Sequence, residues 1–426
     1  MNIVHLNTHD ASGGAARAAS RLHLGLLQAG HDSRMVVAHA SRQSDRVAAV
    51  VSNAPLARTL AHRLVSGASR RLSLQNVVPW PRAVLGHPFV RSAGIVNLHN
   101  IHGDYLPVTL LASLSRRRLV VWTLHDMWPL TGHCSYSLDC ERWRTGCGAC
   151  PRLEVDVPLR RDTTALHWRL KRWAYRGADL TVVAPSRWLA DVARRSPLLG
   201  CFPVRHIPYG LDTDVFRPLD KAMARTLLGL PIGPPLALFV ADNAADPRKG
   251  ARSFVEALDR LPDDLRDEMG VILLGQNTGA VASMARVRWW DLGTVSDDRL
   301  LAAVYSAADV SVCPTLADNL PNTVLESMAC GTPVVAFDAG GVADLVRPME
   351  TGCLAPAQDA GALAHGLEAL LTDSSLRARL GEGCRAVARR EYDLSVQAER
   401  YGALYRELAA ARRSVRQEAG ARAVTS

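Results

Sequence analysis

The sequence has no fixed-period repeat and no low-complexity tract, which sets aside solenoids, fibrous chains and disordered arrays. No uncharged apolar run approaches the ~20 residues that span a bilayer, so no membrane-crossing helix is expected. The first residues, MNIVHLNTHDASGG, lack the basic-then-apolar pattern of a secretory leader, and a cytoplasmic protein with reduced thiols is expected. No G-x-x-x-x-G-K-[ST] occurs, which excludes a P-loop. G-x-G-x-x-G is also missing, and the second strand candidate ends VVAHA without an acid for a ribose, which argues against the dinucleotide fingerprint. No nucleic-acid-binding motif accompanies the basic charge, so nucleic acid is not an expected partner.

What is present fits a chain of two or three domains. It has 426 residues, 48% of them hydrophobic, with a formal net charge of +9. That charge favours anionic partners, or else reflects arginines on solvated faces. Apolar runs of strand length alternate with helix-period segments throughout. The strand candidates are Asn2–Leu6, Arg34–Ala38, Gly94–His99, Leu119–His125 and Leu180–Pro185, then Leu236–Ala241, Val271–Gly275, Val287–Leu292, Val310–Pro314 and Pro333–Phe337. They are mostly continuous rather than alternating, as strands covered on both faces must be. Repeated βα units imply two doubly wound parallel sheets facing across a cleft, with ligands at the carboxyl ends of the strands. The expected layout is an N-terminal domain over residues 1–205, a second domain over 206–394, a helix over 395–412 returning to the first, and a frayed tail over 413–426.

The richest segment is VSVCPTLADNLPNTVLESMACGTPVVAFDAGGVAD, residues 310–344. A strand ends near Pro314, Asp318 stands in the following loop, and Pro321-Asn322 open a helix with Asn322 as a suitable N-cap and Gly331 as its stop. Glu326 lies eight positions after Asp318. Both acids and the backbone N–H groups at the helix start can face one ligand, holding hydroxyls and phosphate together. The bland alternative is two acids complementing a helix dipole. In the other loop, after LALFVAD, comes NAADPRKG, where Arg248 and Lys249 precede a helix and can neutralise a diphosphate; the alternative is an exposed turn.

Asp318-x7-Glu326 followed by CGTPVVAFDAGGVAD resembles glycosyltransferase family 4, whose signature carries two glutamates at this spacing before GTPVV. The resemblance implies a GT-B fold, with two Rossmann-like domains. It also implies retention of anomeric configuration and no catalytic metal. Glu326 would then bind the donor ribose, and Asp318 would lie near the transferred sugar. The backbone of Asn319, Leu320, Pro321 and Asn322 would hold sugar and diphosphate oxygens. Asp318 is one methylene shorter than the family's glutamate. The family also places an arginine five residues before the lysine; that position is Ala244 here, and Arg248 would substitute for it. Gly13 and Gly14 would face the donor diphosphate or the acceptor, and His125, at the end of LVVWTLHD, would lie near the donor sugar. His99 and His102 are acceptor-side candidates.

Cys134, Cys140, Cys147 and Cys150 form C-x5-C-x6-C-x2-C, four of the nine cysteines within one short segment. In a reducing compartment this spacing suggests a closed structural zinc site, the alternatives being free thiols or disulfides. The block HDMWPLTGHC with its following cysteines is also similar to colanic-acid and exopolysaccharide biosynthesis glycosyltransferases. Arg169, Arg172 and Arg176 beside Leu166, Leu170 and Trp173 form a basic amphipathic helix; Arg58, His62, Arg63, Arg70 and Arg71 beside leucines form a second. Either could rest on anionic lipid or simply pack on the core. The expected activity is sugar transfer from a UDP- or GDP-sugar to a glycan or lipid-linked glycan. The alternatives are a nucleotide-sugar 2-epimerase or phosphorylase on the same fold, and a zinc-stabilised polyanion-binding protein.

Overall fold

The computed structural model describes residues 1–424 except 42–43, 53–55, 75–81, 156–157 and 285. Thirteen strands are described: β1 (Asn2–His9), β2 (Asp32–His39), β3 (Val47–Ala49), β4 (Ile95–Leu98), β5 (Leu119–Thr123), β6 (Thr181–Ala184) and β7 (Val204–His206) form one sheet. The other sheet holds β8 (Leu236–Asn243), β9 (Gly270–Gln276), β10 (Arg288–Asp291), β11 (Val310–Cys313), β12 (Val334–Phe337) and β13 (Gly352–Ala355).

Their orders are β3-β2-β1-β4-β5-β6-β7 and β10-β9-β8-β11-β12-β13, and neighbouring strands pair in parallel. Each is the doubly wound order. It reverses direction between β1 and β4 in the first sheet and between β8 and β11 in the second, where the loops diverge and leave room for a ligand. All ten expected strands are present.

The polypeptide divides into two compact units, Met1–Pro208 with Ser395–Ser426, and Tyr209–Leu394. In the first, one sheet face carries Val4, Leu6, Val96, Leu98, Val120 and Trp122 into a large apolar cluster. Intervening positions Ile3, Ile95, Val121 and Val183 pack instead against Leu22 and Leu26 of the helix Gly14–Gln28 and Tyr401 and Tyr405 of the final helix, Leu394–Val424. Burial of both faces explains the unbroken apolar strand runs. The final helix continues through residues 413–424, where the sequence suggested a frayed tail.

In the second unit, Phe239, Leu273, Val312, Val335 and Phe337 fill one side of the sheet against Phe254 and Leu367. Its ends are stitched together: Leu211 N–H donates to Tyr392 O across 3.0 Å, and Leu394 N–H to Leu211 O across 2.9 Å. No helix among the described residues is long and apolar enough to cross a membrane.

Candidate functional site

In the second unit, the loops after β8 and β11 lie at the strand-order reversal and are laced to each other. Leu316 N–H donates to Arg248 O at 2.8 Å, and the Thr315 hydroxyl donates to the same carbonyl at 3.0 Å. One glycine permits this approach, and a second lets the loop after β12 close on the same segment. Gly250 (φ +71°) lies so close to Pro314 that an added Cβ would sit 1.8 Å from its carbonyl oxygen; at Gly340 (φ +64°) the corresponding distance to Asp318 O is 2.0 Å. Neither a left-handed backbone nor that space suits a larger residue.

Lacing brings Arg248, Lys249 and Asp318 together. Lys249 Nζ stands 2.8 Å from Asp318 Oδ2, and Arg248 Nη1 lies 3.4 Å from the same oxygen and 2.8 Å from Ala317 O. Burial alone would raise the Asp318 carboxyl, but Lys249 and Arg248 outweigh it and hold the group below its ordinary value. The two cations and the acid assigned to different parts of a ligand are thus partners of one another.

The helix Asn322–Ala329 follows, with Pro321 rather than Asn322 at the N-cap. Proline fixes φ near the value seen there and donates no N–H, so the turn starts one residue earlier than the N-cap preference indicates. Gly331 at φ +72° ends the helix as expected. Asn319 N–H donates to Asp318 Oδ1 at 2.9 Å, folding the loop onto the acid. Leu320 is buried, and Glu326 is 3% exposed. The Tyr305 hydroxyl donates to Glu326 Oε2 at 2.9 Å. Tyr305, on the helix Asp298–Ala307, escaped the sequence reading because an apolar helix stripe gives no sign that one of its rings carries a buried carboxylate.

In the first unit, the loop after β1 reaches the helix Gly14–Gln28 through Gly13, its N-cap at φ +84°, beside open space. Gly14 is the first helical residue and is exposed. His125 lies two residues beyond β5 and is 6% exposed. Its neighbour Asp126 accepts from Trp128 N–H at 2.8 Å and stands 3.5 Å from His102 Nε2. His99 does not stand on the surface as an acceptor-side contact: it is 2% exposed, and its Nδ1 lies 2.8 Å from His125 Nε2. On its other side, His99 Nε2 lies 2.9 Å from His5 Nδ1 and 3.1 Å from Asn97 Nδ2. Burial lowers His5 and His99 well below the usual imidazole range and brings His125 to about 4.

Cys134, Cys140, Cys147 and Cys150 are all unbridged and line one small cavity with His133 and Trp143. Gly132 N–H donates to Cys147 Sγ at 3.2 Å. Gly146, Cys147, Gly148 and Ala149 all have positive φ, a run of four through the last cysteine pair. Lys171, fully buried beneath, donates to Trp128 O and Thr131 O and lies 3.5 Å from the Trp128 ring centroid. Among the described residues, no three His, Cys, Asp or Glu side chains are grouped closely enough to hold a metal as they stand.

On the helix Thr164–Tyr175, Leu166 and Trp173 are 54% and 64% exposed, beside exposed Arg169 and Arg172. On the helix Leu56–Arg71, Leu60 and Leu64 are exposed beside Arg63; the side chains of Leu56 and Arg58 lie outside the described residues. These basic faces therefore do not pack their apolar stripes fully on the core.

Residues 12–215 match the family Glycosyltransferase Family 4, and residues 234–373 match Glycosyl transferases group 1. A putative colanic acid biosynthesis glycosyl transferase, WcaC of Escherichia coli, is 25% identical over 82% of this chain and 85% of its own. The D-inositol 3-phosphate glycosyltransferase of Acidothermus cellulolyticus is 35% identical over 50% of this chain and 49% of its own. The chain spans about half the length of that relative and of its Xylanimonas cellulosilytica counterpart. Among solved structures, sucrose-phosphate synthase from Thermosynechococcus elongatus superposes with a TM-score of 0.67 over 96% of this chain and all of its own, at 22% identity. Anabaena HepE in complex with UDP-glucose does so at 0.65 over 95% and 99%, at 18% identity. At those identities the superpositions speak to the fold. With family matches on both halves and a parallel sheet in each unit, the chain carries a family 4 glycosyltransferase domain in its first part and a group 1 glycosyl transferase domain in its second, on a GT-B fold.

Proposed function

We propose that the protein is a retaining glycosyltransferase that moves a sugar from a nucleoside diphosphate donor to a glycan or lipid-linked glycan. The observation that carries this reading is the meeting of Lys249, Arg248 and Asp318 on the loops at the second sheet's strand-order reversal, with Glu326 on the helix that follows. In it, Glu326 accepts hydrogen bonds from the ribose hydroxyls, with one oxygen steadied by Tyr305. Arg248 and Lys249 meet the diphosphate, joined by backbone N–H groups around residues 319–322. Asp318 takes sugar hydroxyls, and the Gly13-Gly14 turn offers a further anion-binding helix start. His125 lies near the sugar.

In the reaction, the acceptor hydroxyl oxygen bonds to the anomeric carbon as the bond from that carbon to the diphosphate oxygen breaks. The acceptor proton passes to the departing phosphate on the same face. Lys249 and the helix-start amides stabilise the charge that grows on the phosphate, without a catalytic metal. HepE was solved with UDP-glucose, which makes that the first donor to test, ahead of GDP-sugars. A thermal-shift panel of UDP-, GDP- and ADP-sugars, followed by transfer assays on the stabilising donor, tests the reading. Donor stabilisation with glycoside formation supports it. Epimerised sugar or phosphorolysis would move the chain to another reaction on this fold; salt-sensitive polyanion binding with no nucleotide-sugar affinity would overturn it.

Two features extend the reading. The exposed Leu60, Leu64, Leu166 and Trp173 among arginines suit an anionic membrane surface, where a lipid-linked acceptor resides. Flotation with anionic but not neutral vesicles is the expected result. We further propose that Cys134, Cys140, Cys147 and Cys150 close on a structural zinc ion. The thiols already share a cavity, and metal binding would draw them inward from their present spacing. Near one equivalent of zinc in untagged protein is expected; less than about half an equivalent counts against it.

A further inference from the structure

Three buried imidazoles run in file across adjacent strands of the first sheet. Ile3, Ile95 and Val121 lie on one face of β1, β4 and β5, and two residues further along the same face come His5, Asn97 and Thr123. The apolar floor thus turns polar towards the carboxyl edge. His99 follows β4 and is fixed by its backbone, its N–H donating to Leu6 O and its carbonyl accepting from Trp122 Nε1. His5 Nδ1, His99 Nε2, His99 Nδ1 and His125 Nε2 then form two successive contacts of 2.9 and 2.8 Å.

A neutral imidazole donates from one nitrogen and accepts at the other, so each contact fixes the next. Asn97 and His5 decide the direction. The Tyr401 and Thr123 hydroxyls are 2.9 Å apart, and Thr123 donates to Asn97 Oδ1 at 3.2 Å. Asn97 Nδ2 is thereby turned to His99 Nε2 as a donor. The reverse order would put a proton on His5 Nε2, which is buried with no hydrogen-bond partner. An orphaned buried N–H costs about 1–3 kcal/mol, so the proton belongs on His5 Nδ1. His99 Nε2 is then an acceptor, His99 Nδ1–H a donor, and His125 Nε2 an acceptor. Burial keeps all three rings neutral, as the order requires.

We propose that His5, Asn97 and His99 are positioning residues that hold His125 as its Nδ1–H tautomer, with Nε2 committed to His99. In free imidazole side chains the other tautomer is favoured, so the protein is imposing a choice. The consequence for the reaction rests on the reading that His125 lies near the donor sugar. There the ring acts as an oriented hydrogen-bond donor from Nδ1, and it is not the base that removes the acceptor proton. That role stays with the departing phosphate.

Two-bond proton–nitrogen correlation spectra of the full chain, labelled with ¹⁵N-histidine at pH 7, read the tautomers directly. Loss of one signal set in each of the single variants H5Q, H99Q and H125Q assigns them. Protonated Nδ1 and bare Nε2 on His5, His99 and His125 are expected; a proton on His125 Nε2 overturns the proposal, whatever the activity. Asn97→Asp replaces the donor at His99 by an acceptor and should move the protons of His99 and His125 to Nε2. Turnover should fall about tenfold, while the KM for the donor stays within about twofold. An unmoved His125 tautomer in folded N97D protein also overturns the relay. If the tautomers are as stated but His125→Ala transfers sugar at the normal rate, the relay stands and only the placement of His125 beside the sugar falls.

Discussion

Lys249 Nζ and Asp318 Oδ2 stand 2.8 Å apart, joining a loop after β8 to one after β11 through residues that read from sequence as serving different parts of a ligand. The pair is largely buried, with 22% and 14% of the two side chains exposed. On the proposed reading, a donor diphosphate would have to share Lys249 with Asp318. Losing one member of such a pair leaves the other charge poorly compensated. Lys249→Met is expected to lower kcat/KM roughly 10–10²-fold, from a lost charge-assisted contact of about 1.5–3 kcal/mol. Steady-state kinetics on the stabilising donor checks this.

Glu326→Ala should cost more, roughly 10²–10³-fold in kcat/KM, because on the proposed reading two ribose contacts go together. Tyr305→Phe removes only the hydroxyl that fixes Glu326 Oε2 and should raise the donor Kd several-fold while kcat holds. Isothermal titration of both variants separates the two effects. Equal donor affinity in folded E326A would remove the acid from the site.

Gly340→Ala should be costly for a backbone reason. Its Cβ would lie 2.0 Å from Asp318 O, and its φ of +64° disfavours any side chain. A displacement of the Asp318 loop with a stability loss of about 1–3 kcal/mol is expected. Gly13→Ala is the control, since φ is +84° there but nothing lies within 4 Å of the new atom. Chemical denaturation of the two variants, run side by side, checks the difference.

The buried histidines set an acid limit on stability. Burial brings His23 and His125 to about 4, and His5 and His99 well below their ordinary value, whereas unfolded imidazoles titrate near 6.5. Between those values the unfolded chain binds protons that the folded one refuses. Stability is therefore full above about pH 6.5 and falls as pH drops towards 4, by about 1.4 kcal/mol per pH unit for each such ring. Urea midpoints at pH 7 and pH 5 should show the loss, and H5Q should lessen its slope.

Much of this architecture was legible in the residues. Ten continuous apolar runs named ten strands because both sheet faces are covered. Three edge strands lay outside those runs, β3, β7 and β13: the first two have three residues each, and GCLA of β13 has no β-branched residue and a glycine. The loop positions of Asp318, Lys249 and Glu326 were equally readable, since helix starts and turn residues mark them. Their partners were not. Tyr305 and His5 come from elements distant in sequence, and only the strand order brings β1, β4 and β5 side by side. His99 was misplaced for that reason: a histidine at a strand end can point to solvent or into a neighbouring strand's polar row.

The paired hydrogen bonds at Leu211 bear on how the protein can be handled. Because entry and exit of Tyr209–Leu394 are neighbours, that segment is a natural excision: one contiguous fragment with its termini held together. Cutting at its far end has the opposite effect on the remainder. It would strip Tyr401 and Tyr405 from beneath the first sheet and release the hydroxyl bound to Thr123. A fragment carrying the Lys249 and Asp318 loops is thus a practical reagent, whereas a simple truncation of the last thirty or so residues undermines the half of the chain made first.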